Sequence, residues 1–439
     1  MGDFISSTGR QQEEMLKAAG YDSFDALFAD VPESVFLKDG VSIPEGLSEM
    51  EAGARMEAMA AENRVFAHIF RGAGSYHHYI PAIVKSVTSK EDFLTAYTPY
   101  QAEISQGNLQ AIFEFQTMIC ELTGLDVSNA SVYDGATAAA ESIFMCKERK
   151  RVKALVSATT PPEVLKVMKT YCYGRDTELC VIPEKDGVTD MEALGAMLDE
   201  TVACVYMQQP NFYGILEDAK ALGQMAHEKG AKFVMGCNPI ALAVMKTPAE
   251  CGADVAVGEG QPLGMAMGFG GPYLGFMAAT KEMMRKLPGR IVGETVDSEG
   301  KRGFVLTLQA REQHIRREKA SSNICSNQAL CALTASVYLS AMGAEGLKQA
   351  ATLCTSKAHY LREELKKAGY APVYEKPFFH EFVTECPADA GVLMKHLEQR
   401  GYLGGLILPG NRILWCATEM NTRQEMDELV RLAKEVAAV

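Results

Sequence analysis

The chain has 439 residues, with 43 Lys and Arg against 56 Asp and Glu and a formal net charge of −13. That length allows two or three domains around a large buried core. The acidic balance argues against nonspecific binding to nucleic acid or to an anionic membrane, which leaves small molecules and protein partners.

The first segment, residues 1–85, reads as a helical arm. "QQEEMLKAAG" and "EGLSEMEAGARMEAMAAENRVF" carry apolar residues at helical spacing. Ser48 followed by Glu51 fits a capping box. Gly2 and Ser6 match the short myristoylation pattern, which chance also produces. No basic-then-apolar leader is present, and no uninterrupted apolar run reaches the roughly 18 residues that a bilayer requires.

Residues 86–340 read as a large α/β domain. After the proline turn "YTPYQ", a long amphipathic helix is expected from Ser105 to Thr123. Leu109, Ile112, Phe113, Gln116 and Ile119 lie along its inner face, and Gly124 ends it. From Ala130 the pattern alternates. "KALVSA", "TELCVIP", "VACVYMQQP", "AKFVMGCNP" and "ADVAVGEG" are buried strands, with helical segments between them. Such alternation predicts a mainly parallel sheet covered on both faces. Residues 341–439 alternate more loosely and read as a small α+β domain. The 12 cysteines are scattered without metal spacing, as reduced thiols of a cytoplasmic protein would be.

Several motifs point toward chemistry, each with a plainer reading beside it. In "YDGATAAAES", Asp134, Gly135 and Thr137 stand at a helix start, where free N–H groups favour a phosphate. An ordinary capped helix would carry the same residues. Tyr97 and Tyr100 flank Pro99 and either contact a ligand or pack a loop. Arg311, Arg316 and Arg317 form either an anion grip or a solvated charged face. His77 and His78 have no sequence partners for a metal. "GEGQPLG" and "GAGSYHH" lack the spacing of a dinucleotide fingerprint. From Asp254 to Thr280, the strand and the glycine-rich run after it contain no lysine.

The stretches "YTPYQAEISQGNLQAIFEFQTMICELTGLDVSNASVYDGATAAAE" and "PGRIVG" through "REQHIRREKASSNICSNQALCAL" resemble the P-protein of the glycine cleavage system. The likeness covers essentially the whole chain, and the length matches the separate α subunit (subunit 1) of the two-chain form. The resemblance implies a pyridoxal-phosphate transferase fold of the aspartate-aminotransferase type (fold type I). It also implies that pyridoxal phosphate is held covalently by a partner β subunit. The lysine's place falls here near Gln261 or Pro262. Asn238 stands where an active relative would carry a carboxylate for the pyridine nitrogen. Lys246 and Lys281 lie off the expected position. The implied reaction is aminomethyl-transferring glycine dehydrogenase: glycine loses carbon dioxide and the aminomethyl group passes to the lipoyl arm of H-protein. The implied assembly is an α2β2 heterotetramer. Tyr97, Tyr100 and Arg311 are the expected supports of the β-subunit active site, and Thr137 is a candidate phosphate contact. Two other readings are a non-catalytic scaffold that stabilises β and docks H-protein, and a self-contained pyridoxal-phosphate lyase or aminotransferase.

Overall fold

Five of the seven strands of the central sheet are the apolar runs picked out by pattern. In the computed structural model, which describes residues 7–37, 40–268 and 270–437, the sheet is built from β1 (Val127–Ser128), β2 (Lys153–Ser157), β3 (Leu179–Ile182), β4 (Val202–Gln209), β5 (Lys232–Cys237), β6 (Val255–Glu259) and β7 (Gly275–Ala279). Their order across the sheet is β1-β7-β6-β5-β4-β2-β3. The five strands from β2 to β6 pair in parallel, whereas β7 runs antiparallel to β6 and to β1. Residues 203–207 of β4 and 255–258 of β6 are buried, as strands covered on both faces must be. The helices Gly135–Cys146 and Pro162–Gly174 cover one face, and Ala219–Glu228 packs against β4 and β5 on the other.

The amphipathic helix spans Gln106–Thr123 and ends on Gly124 at φ 71°, a left-handed conformation that favours glycine. Gln116 sits among its buried residues because its amide exchanges two hydrogen bonds with the backbone of Val292, at 2.9 and 3.0 Å. That contact satisfies the edge of a hairpin, Ile291–Val296 with Arg302–Thr307.

The helix Ala329–Lys367 is long and apolar enough by composition to cross a membrane. It is bent at Gly343, and it buries Ala335, Tyr338, Ala351 and Leu361 in the protein core. Its second half packs with the helices Ala390–Gln399 and Arg423–Ala437 against a three-stranded antiparallel sheet of Glu381–Glu385, Leu406–Leu408 and Arg412–Cys416. Trp415 is fully buried there, and its indole N–H donates to Thr384.

The chain divides into two compact units, Met1–Val65 and Phe66–Val439. The first holds the helices Gly9–Ala18, Phe24–Leu27 and Glu49–Ala61. The expected capping box is present: the Ser48 hydroxyl accepts from Glu51 N–H, and the Glu51 carboxylate accepts from Ser48 N–H. None of the described residues of this unit is buried. Gly2 and Ser6 lie outside the described residues. All twelve cysteines are unpaired.

Candidate functional site

In an open α/β sheet, ligands collect beyond the carboxyl ends of the parallel strands. A cavity of about 490 Å³ lies there. The strand ends bring Tyr206 and Gln208 from β4, Asn238 after β5, and Glu259 from β6. The helix start adds Asp134 and Gly135, and more distant segments add Tyr76, His380 and Glu381. Gly236 makes room for one wall, since a Cβ at that position would stand 2.3 Å from the Tyr206 hydroxyl.

The helix beginning at Gly135 presents free N–H groups, and the protein's own carboxylates take them. Asp134 accepts from Thr137 N–H at 2.7 Å. Glu259 accepts from Gly135 N–H at 2.9 Å, from Gln261 N–H at 2.9 Å and from Leu274 N–H at 3.1 Å. The protein's own carboxyl groups therefore take the N–H groups where the sequence suggested a phosphate. Burial raises Glu259 to about 7 despite these three donors. Sequence reasoning passed over Glu259, because its meaning depends on Gly135, 124 residues earlier.

Gln261 is 1% exposed. Its amide is fixed by Tyr76 N–H, by the Tyr76 carbonyl and by the Met265 carbonyl. Pro262 follows on the cavity wall. Asn238 turns its side-chain oxygen to the N–H groups of Ile240 and Ala241. Lys246 and Lys281 are exposed, and no lysine or arginine is among the described residues that line the cavity.

The other expected site residues lie elsewhere. Tyr97 is 91% exposed and borders a cavity of about 160 Å³ with Leu94, Asn108 and Leu330. Tyr100 borders a different one of about 120 Å³, with the Arg290 guanidinium 5.5 Å from its ring and the His314 ring at 6.4 Å. Arg311 is largely buried and donates to the carbonyls of Leu287 and Gly289, so it holds the loop that presents Arg290. Arg316 donates to the Ala310 carbonyl, and Arg317 is exposed at φ 53°.

The fold also supplies neighbours for His78. Its Nδ1, the Cys354 Sγ and a Glu419 oxygen lie within 4.8 Å of one another. Glu419 accepts from His78, from Cys354 and from Tyr79 N–H, and these bonds hold its carboxyl near 2 against the cost of burial. Lys357 also donates to the backbone carbonyl of Glu419. Beside it, Glu381 accepts from Ala73 N–H and the Tyr76 hydroxyl, and burial raises it to about 7.

Among known proteins, the family model described as glycine cleavage system P-protein matches residues 2–433. The chain belongs to this family. A "probable glycine dehydrogenase (decarboxylating) subunit 1" of Desulfitobacterium hafniense is 49% identical, over 98% of each chain. A like-named protein of Moorella thermoacetica is 48% identical over 99% of this chain and all of its own. A crystal structure of glycine decarboxylase (P-protein) in inhibitor-bound form superposes with a TM-score of 0.92 at 42% identity, covering 99% of this chain and 100% of that one. A sphingosine-1-phosphate lyase of Burkholderia pseudomallei, at 14% identity and TM-score 0.67, shares the fold alone, over 91% of this chain and 92% of its own. The P-protein chain described here thus has the fold of the type I pyridoxal-phosphate enzymes.

That fold raises the question of whether the cavity suits the cofactor. Holding pyridoxal phosphate calls for a lysine amine, a cradle for the phosphate and a carboxylate at the pyridine nitrogen. Among the described residues that line the cavity there is no lysine or arginine, Asp134 and Glu259 already take N–H groups at the helix start, and Asn238 offers a neutral amide. The residues present do not fit the cofactor.

Proposed function

We propose that this P-protein chain is the α subunit of a glycine decarboxylase, without the Schiff-base lysine, and that a β subunit holds pyridoxal phosphate. The cofactor supplies the electron sink for decarboxylation there. Glycine would lose carbon dioxide there, and its aminomethyl group would pass to the lipoyl arm of H-protein. The observation that carries this reading is Gln261, fixed by three hydrogen bonds in a chain that matches P-proteins from end to end.

Tyr97 and Tyr100 are the exposed side chains we assign to the face toward the β cleft, with Arg311 positioning the loop behind them. In the arm, Leu37, Ile43, Met50 and Val65 are each more than half exposed. The heterotetramer works in the cytoplasm, where the twelve thiols stay reduced.

The test is exchange of labelled bicarbonate into glycine in the presence of H-protein. Exchange should need both subunits, and this chain alone should give none. Exchange by this chain alone at the rate of the pair would reverse the assignment.

A further inference from the structure

The carboxyls of the cavity beyond β4–β6 find their donors within the protein: Thr137 N–H for Asp134, three backbone N–H groups for Glu259, and Ala73 N–H with the Tyr76 hydroxyl for Glu381. Three side-chain amides that border the same cavity are only half used. Asn238 accepts through its oxygen from the N–H groups of Ile240 and Ala241, at 2.9 and 3.2 Å. Those two bonds fix the amide and leave its nitrogen over. Gln328 is fixed the other way round. Its nitrogen donates to the carbonyls of Tyr133 and Tyr273, at 3.2 and 2.9 Å, and its oxygen is left over. Gln208 accepts from the Tyr206 hydroxyl at 3.3 Å and keeps its own N–H groups. The three remaining atoms have no partner in the protein, and none of them is sealed from solvent.

The leftover groups are therefore two amide donors and one amide acceptor, all uncharged. The tyrosines around them offer rings. The Tyr133 hydroxyl accepts from Cys325 N–H, the Tyr273 hydroxyl accepts from Ser75, and the Tyr206 hydroxyl donates to Gln208. With the hydroxyls engaged, the free surface of these side chains is aromatic, and it suits a flat partner. A concave site of about 490 Å³ with aromatic walls and a few convergent polar groups is the usual form of a small-molecule site.

We propose that this cavity binds an uncharged planar heterocycle: a ring nitrogen accepts from Asn238, an exocyclic amide pairs with Gln208 and Gln328, and the ring lies among the tyrosines. Charge decides against the alternatives. An anion would meet carboxyls and, among the described residues, no lysine or arginine. A ring nitrogen that carries a proton or a methyl group has no lone pair for the Asn238 N–H. This inference concerns binding to the chain by itself and does not depend on the β subunit.

The probe is nicotinamide, set against benzamide, which replaces the ring nitrogen with C–H, and 1-methylnicotinamide, which blocks that nitrogen and makes the ring a cation. The purified full chain is titrated with each and followed by ligand-observed NMR. Nicotinamide should bind at millimolar concentration or better. The other two should bind about tenfold more weakly, because each leaves the Asn238 N–H unpaired. Asn238→Asp keeps the oxygen that caps Ile240 and Ala241 and turns the N–H group into a second oxygen. It should weaken nicotinamide about tenfold and place 1-methylnicotinamide ahead of it, with circular dichroism confirming that the variant folds. Gln208→Leu serves for the loss of affinity if Asn238→Asp does not fold. No nicotinamide binding to the wild-type chain, or equal binding of benzamide or 1-methylnicotinamide, overturns the proposal without recourse to any variant. Full nicotinamide affinity in a folded variant also overturns it.

Discussion

Two glutamates of this chain stand in opposite electrostatic situations. Glu419 has a histidine, a thiol and a backbone N–H as donors and is held near 2, whereas Glu381 has one N–H and one hydroxyl and rises to about 7. Glu381 is buried, Glu419 is partly buried, and both are hydrogen-bonded, so the difference lies largely in their donors. What separates them is the histidine: His78 faces Glu419 and can carry a proton toward it, while Glu381 looks into a cavity without cations.

The largest expected effect comes from closing the space that defines the acidic side. A Cβ at Gly135 would lie 2.8 Å from the Glu259 backbone nitrogen and 3.0 Å from its Cα, with rigid main chain on the far side. Gly135→Ala should cost about 3 kcal/mol by overpacking, read as a lowered midpoint in urea unfolding. A loss under about 0.5 kcal/mol would mean that the helix start and β6 are not in close register.

A smaller effect separates the two glutamates by pH. The folded value of Glu381 lies above the usual 4.5, so the folded state keeps a proton that the unfolded state releases. Its contribution to stability is full below 4.5 and falls as the pH rises to about 7. Glu419 has the opposite sign: its contribution is full above 4.5 and is lost as the pH falls toward 2. The titratable groups acting on Glu381 are Tyr76 and Cys416, neither of them a cation at neutral pH. Glu381→Gln should therefore gain about 2 kcal/mol on wild type between pH 5 and pH 8. Glu419→Gln should lose stability at both values. Thermal melts at the two pH values decide it, and parallel curves for the two variants would erase the distinction.

Much of the sheet was legible because β2 to β6 are short, unbroken apolar runs, which strands covered on both faces require. The strand β7 was not, since "GFMAA" follows a glycine-rich run and its meaning comes from pairing with β1 and β6. The hairpin from Ile291 to Thr307 was missed because its charged residues dilute the strand pattern, and Gln116, from a helix far away in sequence, satisfies its edge. At the site, the absence of a lysine between Asp254 and Thr280 is plain in the sequence. Glu259 and His380 could not be read there, because a carboxylate becomes an internal anion, and an imidazole an unpaired one, only through neighbours that the fold brings in.

The smallest effect concerns the face assigned to the β cleft. Tyr100→Phe removes one hydroxyl and keeps the ring against Arg290 and His314, so it should lower glycine decarboxylation by about tenfold, on the order of 1.4 kcal/mol, with assembly unchanged. Arg311→Ala should lower it too, with a lower melting temperature, because the carbonyls of Leu287 and Gly289 lose their donor. Wild-type rates in both would place the α-subunit contribution elsewhere.

The central claim is that this chain, with no lysine in its cavity among the described residues, leaves covalent cofactor chemistry to its partner. The most direct measurement is borohydride reduction of the co-purified subunits in pyridoxal phosphate, followed by peptide mass spectrometry. The account predicts one pyridoxyl-lysine on the partner subunit and no specific label on this chain. A single, stoichiometric label on a lysine of this chain would contradict it.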